Sequence, residues 1–148
     1  MRSLLWLVWL AALTATACGG GSGGGIDVSD VRVAEPTGPN AALYFTATSD
    51  VEDRLIGAET AVASSAQIHQ TVVGDDGTMG MRPVDSLDVA PGERLVLEPG
   101  GLHLMLIDAE RVEVGDDVEV TLIWESTGRQ TVMAEVVSPG ETMGHTDG

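Results

Sequence analysis

Lysine is absent from this chain, and cysteine occurs once, at position 18. No disulfide can form within one copy, so the fold must stand on its core alone. Aromatic residues make up 3% of the sequence, which leaves aliphatic side chains to fill that core. Seven arginines face 23 acidic residues, a formal charge of −16. Such a surface argues against nucleic-acid binding and polybasic membrane contact. Helical periodicity is nearly missing too. There are no paired carboxylates beside a histidine, no three-ligand zinc motif and no phosphate-binding glycine loop. The enzyme classes lose their footing with them.

What is present begins with a leader. Residues 1–17 carry one early arginine, an apolar run over 4–13 and small residues before Cys18. The run is too short to span a bilayer and reads as an export signal. The small residues before Cys18 resemble a lipobox, which makes Cys18 the expected lipidation point, although Ala15 stands where leucine is usual. Residues 19–25 are glycine and serine only, a flexible linker. The expected place for the mature protein is outside the cytoplasm, in the periplasm or on the outer face of the cell membrane, held by an N-terminal lipid.

Residues 26–138 read as one β domain, and 139–148 as a disordered tail. Short alternating runs are divided by turn signals such as Gly74-Asp75-Asp76-Gly77, Pro91-Gly92 and Pro99-Gly100-Gly101. They predict strands over 26–33, 41–49, 53–60, 66–73, 78–84, 94–97, 102–107, 118–125 and 130–137. Over 118–124, Val118, Val120, Leu122 and Trp124 share one face, which places Trp124 in the core. About nine strands over this length fit a Greek-key sandwich.

The chemistry is concentrated in histidine and methionine. In the run Leu102-His-Leu-Met-Leu-Ile107, three leucines take one face and His103 and Met105 the other. The latter two are about 7 Å apart along the strand. His69 lies on another strand, where alternation does not settle its direction. Met79 and Met81 flank Gly80 just after a turn, with Gly80 expected to let the backbone approach a ligand. Two imidazoles and two thioethers form a soft, neutral set that suits Cu(I). Thioethers are not consumed by disulfide formation, which favours them in an oxidising compartment. A blue-copper centre would need a cysteine thiolate, and the lone cysteine lies beyond the linker.

The spacing His69-x11-Met81-x21-His103-x-Met105, with Asp53-Arg-Leu-Ile-Gly, Met81-Arg-Pro-Val and Pro99-Gly-Gly-Leu-His-Leu-Met, resembles the periplasmic copper chaperones called PCuAC over residues 28–137. The resemblance implies an all-β, cupredoxin-like Greek-key sandwich or barrel. It implies one Cu(I) held by His69, Met81, His103 and Met105. It further implies delivery toward the CuA centre of cytochrome c oxidase subunit II, beside a Sco-type protein, by a monomeric metallochaperone without enzymatic activity. Gln70 departs from the methionine often found there, and Met79 could replace that thioether. Met143 and His145 in the tail are candidates for a second copper. Two rivals remain at this point: a copper-buffering lipoprotein with no dedicated acceptor, and a structural β-sandwich module.

Overall fold

The computed structural model describes residues 25–141. The leader, Cys18, most of the linker, Met143 and His145 lie outside the described residues. Within them run β1 (Ile26–Ala34), β2 (Ala41–Ser49), β3 (Asp53–Glu59), β4 (Ser65–Val73), β5 (Met79–Pro83), β6 (Leu87–Val89), β7 (Arg94–Leu97), β8 (Leu102–Ile107), β9 (Asp117–Trp124) and β10 (Gly128–Val137). No α-helix occurs among the described residues. The all-β expectation therefore holds. One strand was not anticipated, the three-residue β6.

The strands form one continuous sheet in the order β5-β4-β8-β2-β1-β10-β9-β3-β6. The first and last strands, β1 and β10, pair in parallel, and every other pair is antiparallel. β2 is shared: Ala41–Leu43 pair with β8, and Phe45–Thr48 pair with β7. β3 packs against β4, and β6 against β7, so the sheet closes on itself around the core.

That core follows from alternation. Leu43, Phe45 and Ala47 on β2 meet Val118, Val120, Leu122 and Trp124 on β9, with Leu104 and Leu106 from β8. Trp124 is 2% exposed, and its indole N–H donates to Gln130 Oε1 at 3.1 Å. Alternation breaks in β1 at one irregularity. The register shifts between Ser29 and Arg32, with Asp30 at φ +54°. This bulge lets both Val28 and Val33 face β2's inward residues, Ala47 and Leu43, and turns Arg32 outward beside Tyr44.

A buried carboxylate ties the far end. Asp53 is 5% exposed and accepts backbone N–H bonds from Arg54 at 2.7 Å, Ser126 at 2.9 Å and Thr127 at 2.9 Å. It fixes the β9–β10 turn against the start of β3. At the chain's C-terminal side, Ser138 Oγ donates to Glu141 Oε2 at 2.7 Å, closing a turn after β10.

Candidate functional site

Register brings the four predicted donors to one face. His69 stands directly across from His103 in the β4–β8 ladder, and Gln67 across from Met105. Directly paired residues share a face. His69 therefore joins His103 and Met105 on the outer face, behind which Leu104 and Leu106 are fully buried. On the other side of β4, Thr71 pairs with Met81 and Val73 with Met79. Thr71 and Val73 alternate onto His69's side, so both methionines are on it too. Met81 is thus a diagonal neighbour of His69, with backbones about 7–8 Å apart.

The imidazoles form the inner end of this face. Their ring centroids are 5.9 Å apart with planes at 65°. Tyr44 covers the other flank of His103, its ring centroid 6.4 Å away at 55°. Between these two rings His103 is only 3% exposed. His69 and Met105 are half-buried. Met81 and Met79, on the open edge strand β5, are 59% and 71% exposed. The face grades from a buried imidazole to a solvent-facing thioether within three strands.

Each imidazole has one nitrogen tied to an oxygen and one left bare. His103 Nδ1 lies 3.3 Å from the Gly101 carbonyl oxygen. A carbonyl only accepts, so the proton is on Nδ1 and Nε2 keeps its lone pair. The same carbonyl accepts the Thr71 N–H at 3.0 Å, which pins its direction. His69 Nε2 lies 3.1 Å from Gln67 Oε1, which leaves Nδ1 bare. His69 Nδ1 and His103 Nε2 are both buried and without a hydrogen-bond partner. Buried polar atoms are rarely left so. Two unpartnered lone pairs beside thioethers have the chemistry of a soft-metal donor set, each imidazole oriented by an outer oxygen. Among the described residues no three His, Cys, Asp or Glu side chains come together as a metal cluster, so thioethers have to complete any such set.

Residues 26–136 match the family described as "Putative lipoprotein LpqE-like". The chain belongs to the LpqE-like family. Among solved structures, the copper-bound PCuAC domain from PmoF2 is 30% identical at a TM-score of 0.65, over 78% of this chain and 95% of that one. Apo-DR1885 from Deinococcus radiodurans is 30% identical at a TM-score of 0.61, over 93% of this chain and 97% of that one. Its CuI form is 28% identical at 0.55, over 77% of each chain. This LpqE-like domain is of the PCuAC type. The "Putative lipoprotein Lxx21020" of Leifsonia xyli subsp. xyli (strain CTCB07) is 33% identical over 69 residues, a match spanning 46% of this chain and 42% of that protein.

In the LpqE-like domain, burial pushes the His103 imidazole below its ordinary pKa. The Gly101 hydrogen bond works against that shift, and the neighbouring His69 adds to it. His103 is thereby kept neutral, the form in which it can donate to a metal. Gln70 points to the opposite face from His69 and accepts from Arg82 at 3.0 Å, so a thioether at that position would not share the donors' face. Gly80 also alternates away from the donors. A Cβ there would meet Val72 Cγ2 at 3.9 Å, an ordinary contact. The expectation that Gly80 opens the backbone to a ligand is therefore not met, because Gly80 faces the wrong way.

Two members of the site were not anticipated. Tyr44 could have been read from the alternation of 41–49, which puts it opposite Leu43 and Phe45. Nothing in that strand indicates that β8 is its neighbour. Gln67 is two residues before His69 and shares its face by the same rule.

Proposed function

We propose that this chain is an exported, lipid-anchored carrier of Cu(I), and that His69, Met81, His103 and Met105 hold the ion. One observation carries the reading. Two facing imidazoles each leave one buried nitrogen unpartnered, on the face that also bears Met105 and Met81. The copper-bound PmoF2 domain and the CuI form of DR1885 lend support as relatives. The lipoprotein names of the family and of the Leifsonia protein support the anchor at Cys18.

All four donors are uncharged, so the loaded site carries only the charge of the ion. The exposure gradient suits exchange. A partner's thiolate or imidazole can displace Met81 first, from the open edge, while His103 holds the ion from below. Binding requires neutral imidazoles. Delivery toward the CuA centre of cytochrome c oxidase, beside a Sco-type protein, is the finer form of this proposal. A copper-buffering lipoprotein is its rival.

X-ray absorption of the Cu(I)-loaded domain tests the site: mixed nitrogen and sulfur neighbours support it, and oxygen-only coordination sinks it. Mixing the loaded domain with an apo CuA domain tests delivery. Two Cu(I) ions passed to the acceptor give a colourless, fully reduced pair, so a one-electron oxidant such as ferricyanide is added after mixing. Appearance of the mixed-valence CuA spectrum then supports a chaperone. Retention of all copper by this chain supports the buffer.

A further inference from the structure

We infer that Gln67 is a positioning residue that makes the two imidazoles donate through different nitrogens, His69 through Nδ1 and His103 through Nε2. The inference deepens the Cu(I) reading above and rests on it for the identity of the ion. Its structural part concerns the metal-free protein and stands separately.

Three observations carry it. First, the bare buried nitrogen is Nδ1 in one ring and Nε2 in the other. Second, the outer oxygen is Gln67 Oε1 at 3.1 Å for His69 and the Gly101 carbonyl at 3.3 Å for His103. Third, Gln67 is the register partner of Met105, so its side chain stands in the donor row and on the donor face. An acceptor on one imidazole nitrogen fixes the proton there and leaves the lone pair on the other. A free histidine side chain favours the Nε2–H form only modestly, so the Gln67 acceptor is what makes it the single form at His69. His103 owes its own to the backbone, which no side-chain change removes. The unlike attachment also explains how directly opposed residues can serve one ion. An Nδ1 donor lies close to its own strand, whereas an Nε2 donor reaches outward, and two rings at 65° can then aim at one point.

The test is long-range 1H–15N NMR of the imidazoles, in the described domain within the full chain, at a pH above the imidazole range. In the apo protein His69 is expected as the Nε2–H tautomer and His103 as Nδ1–H. Gln67→Ala is expected to turn His69 into a mixture and leave His103 unchanged. Gln67→Glu, which keeps an acceptor, is expected to restore the Nε2–H form. With Cu(I) added, the nitrogen shifts should fall on His69 Nδ1 and His103 Nε2. Gln67→Ala should weaken Cu(I) binding by about tenfold or more, the usual effect of losing an outer-shell partner. A wild-type His69 in the Nδ1–H form, or a tautomer that Gln67→Ala does not alter, overturns the inference. So does copper on Nε2 of both rings. If the apo tautomers behave as expected but Cu(I) leaves all imidazole signals unmoved, the copper reading fails and the positioning role of Gln67 survives.

Discussion

His69 lies directly across the β4–β8 ladder from His103, their rings 5.9 Å apart and 65° from parallel. That single register decides the orientation of His69, and through Thr71 and Val73 it also decides the side on which Met81 and Met79 stand. A one-residue slip of β4 would turn His69 to the other face and dissolve the cluster. Leu104, fully buried behind His103, holds that register from the core.

Leu104→Ala should destabilise the domain by about 2–5 kcal/mol, the cost of a large-to-small change in a packed core. Urea unfolding monitored through Trp124 measures it. A loss well under 1 kcal/mol would mean that β8 is not anchored as described.

The two edge methionines should behave differently. Met81 is the diagonal neighbour of His69, whereas Met79 is two pairs further along the ladder and 71% exposed. Leucine preserves the bulk of either side chain and removes the sulfur. Met81→Leu is expected to weaken Cu(I) binding by about tenfold or more, on the scale of 1.4 kcal/mol per decade. Met79→Leu should change it by less than about threefold on the same scale. Competition against a chromophoric Cu(I) chelator measures both. The reverse ranking would move the thioether ligand to Met79.

Much of this was legible in the sequence, for physical reasons that differ by position. Leu102, Leu104 and Leu106 claim one face of their strand, so His103 and Met105 are forced onto the other without reference to any neighbour. Trp124 is placed in the core by the same local rule. His69 is different. Ile68 and Val72 on one side compete with Thr71 and Val73 on the other, and only pairing with β8 breaks the tie. The three residues of β6 are too few for a period-two pattern to register. The bulge at Asp30 defeats alternation in β1. Gly80 could be recognised as a backbone feature, but its direction depends on β4.

Acid sensitivity should trace to Asp53. Burial raises its pKa, but the N–H donors of Ser126, Arg54 and Thr127 outweigh burial and hold it below the ordinary 3.8. A carboxyl with a depressed folded pKa contributes stability that is complete above its unfolded pKa. That contribution is lost as pH falls through the folded pKa, because the unfolded chain takes up the proton first. At neutral pH, Asp53→Ala should cost about 2–3 kcal/mol by leaving buried N–H groups unpaired. The gap to wild type should narrow once pH drops below the carboxylate range. Urea midpoints across a pH series measure it, and a gap independent of pH would contradict the assignment.

The exposed ion pairs should matter little by comparison. Arg54 meets Asp88 at 2.6 Å and Glu125 at 3.5 Å, all with well-exposed side chains. Asp88→Asn is expected to shift stability by less than about 1 kcal/mol, as solvent-screened pairs do. Thermal unfolding at low and high salt checks this, and a larger, salt-insensitive loss would mark the pair as structural.

The central claim is that His69, Met81, His103 and Met105 hold one Cu(I) between them. The most direct measurement is a Cu(I) competition titration of the wild type beside His69→Ala, Met81→Ala, His103→Ala, Met105→Ala and the paired His103→Ala/Met105→Ala. The account predicts one equivalent bound by the wild-type domain, a loss of about tenfold or more in each single variant, and a larger loss in the pair. Unchanged affinity in the paired variant would contradict it.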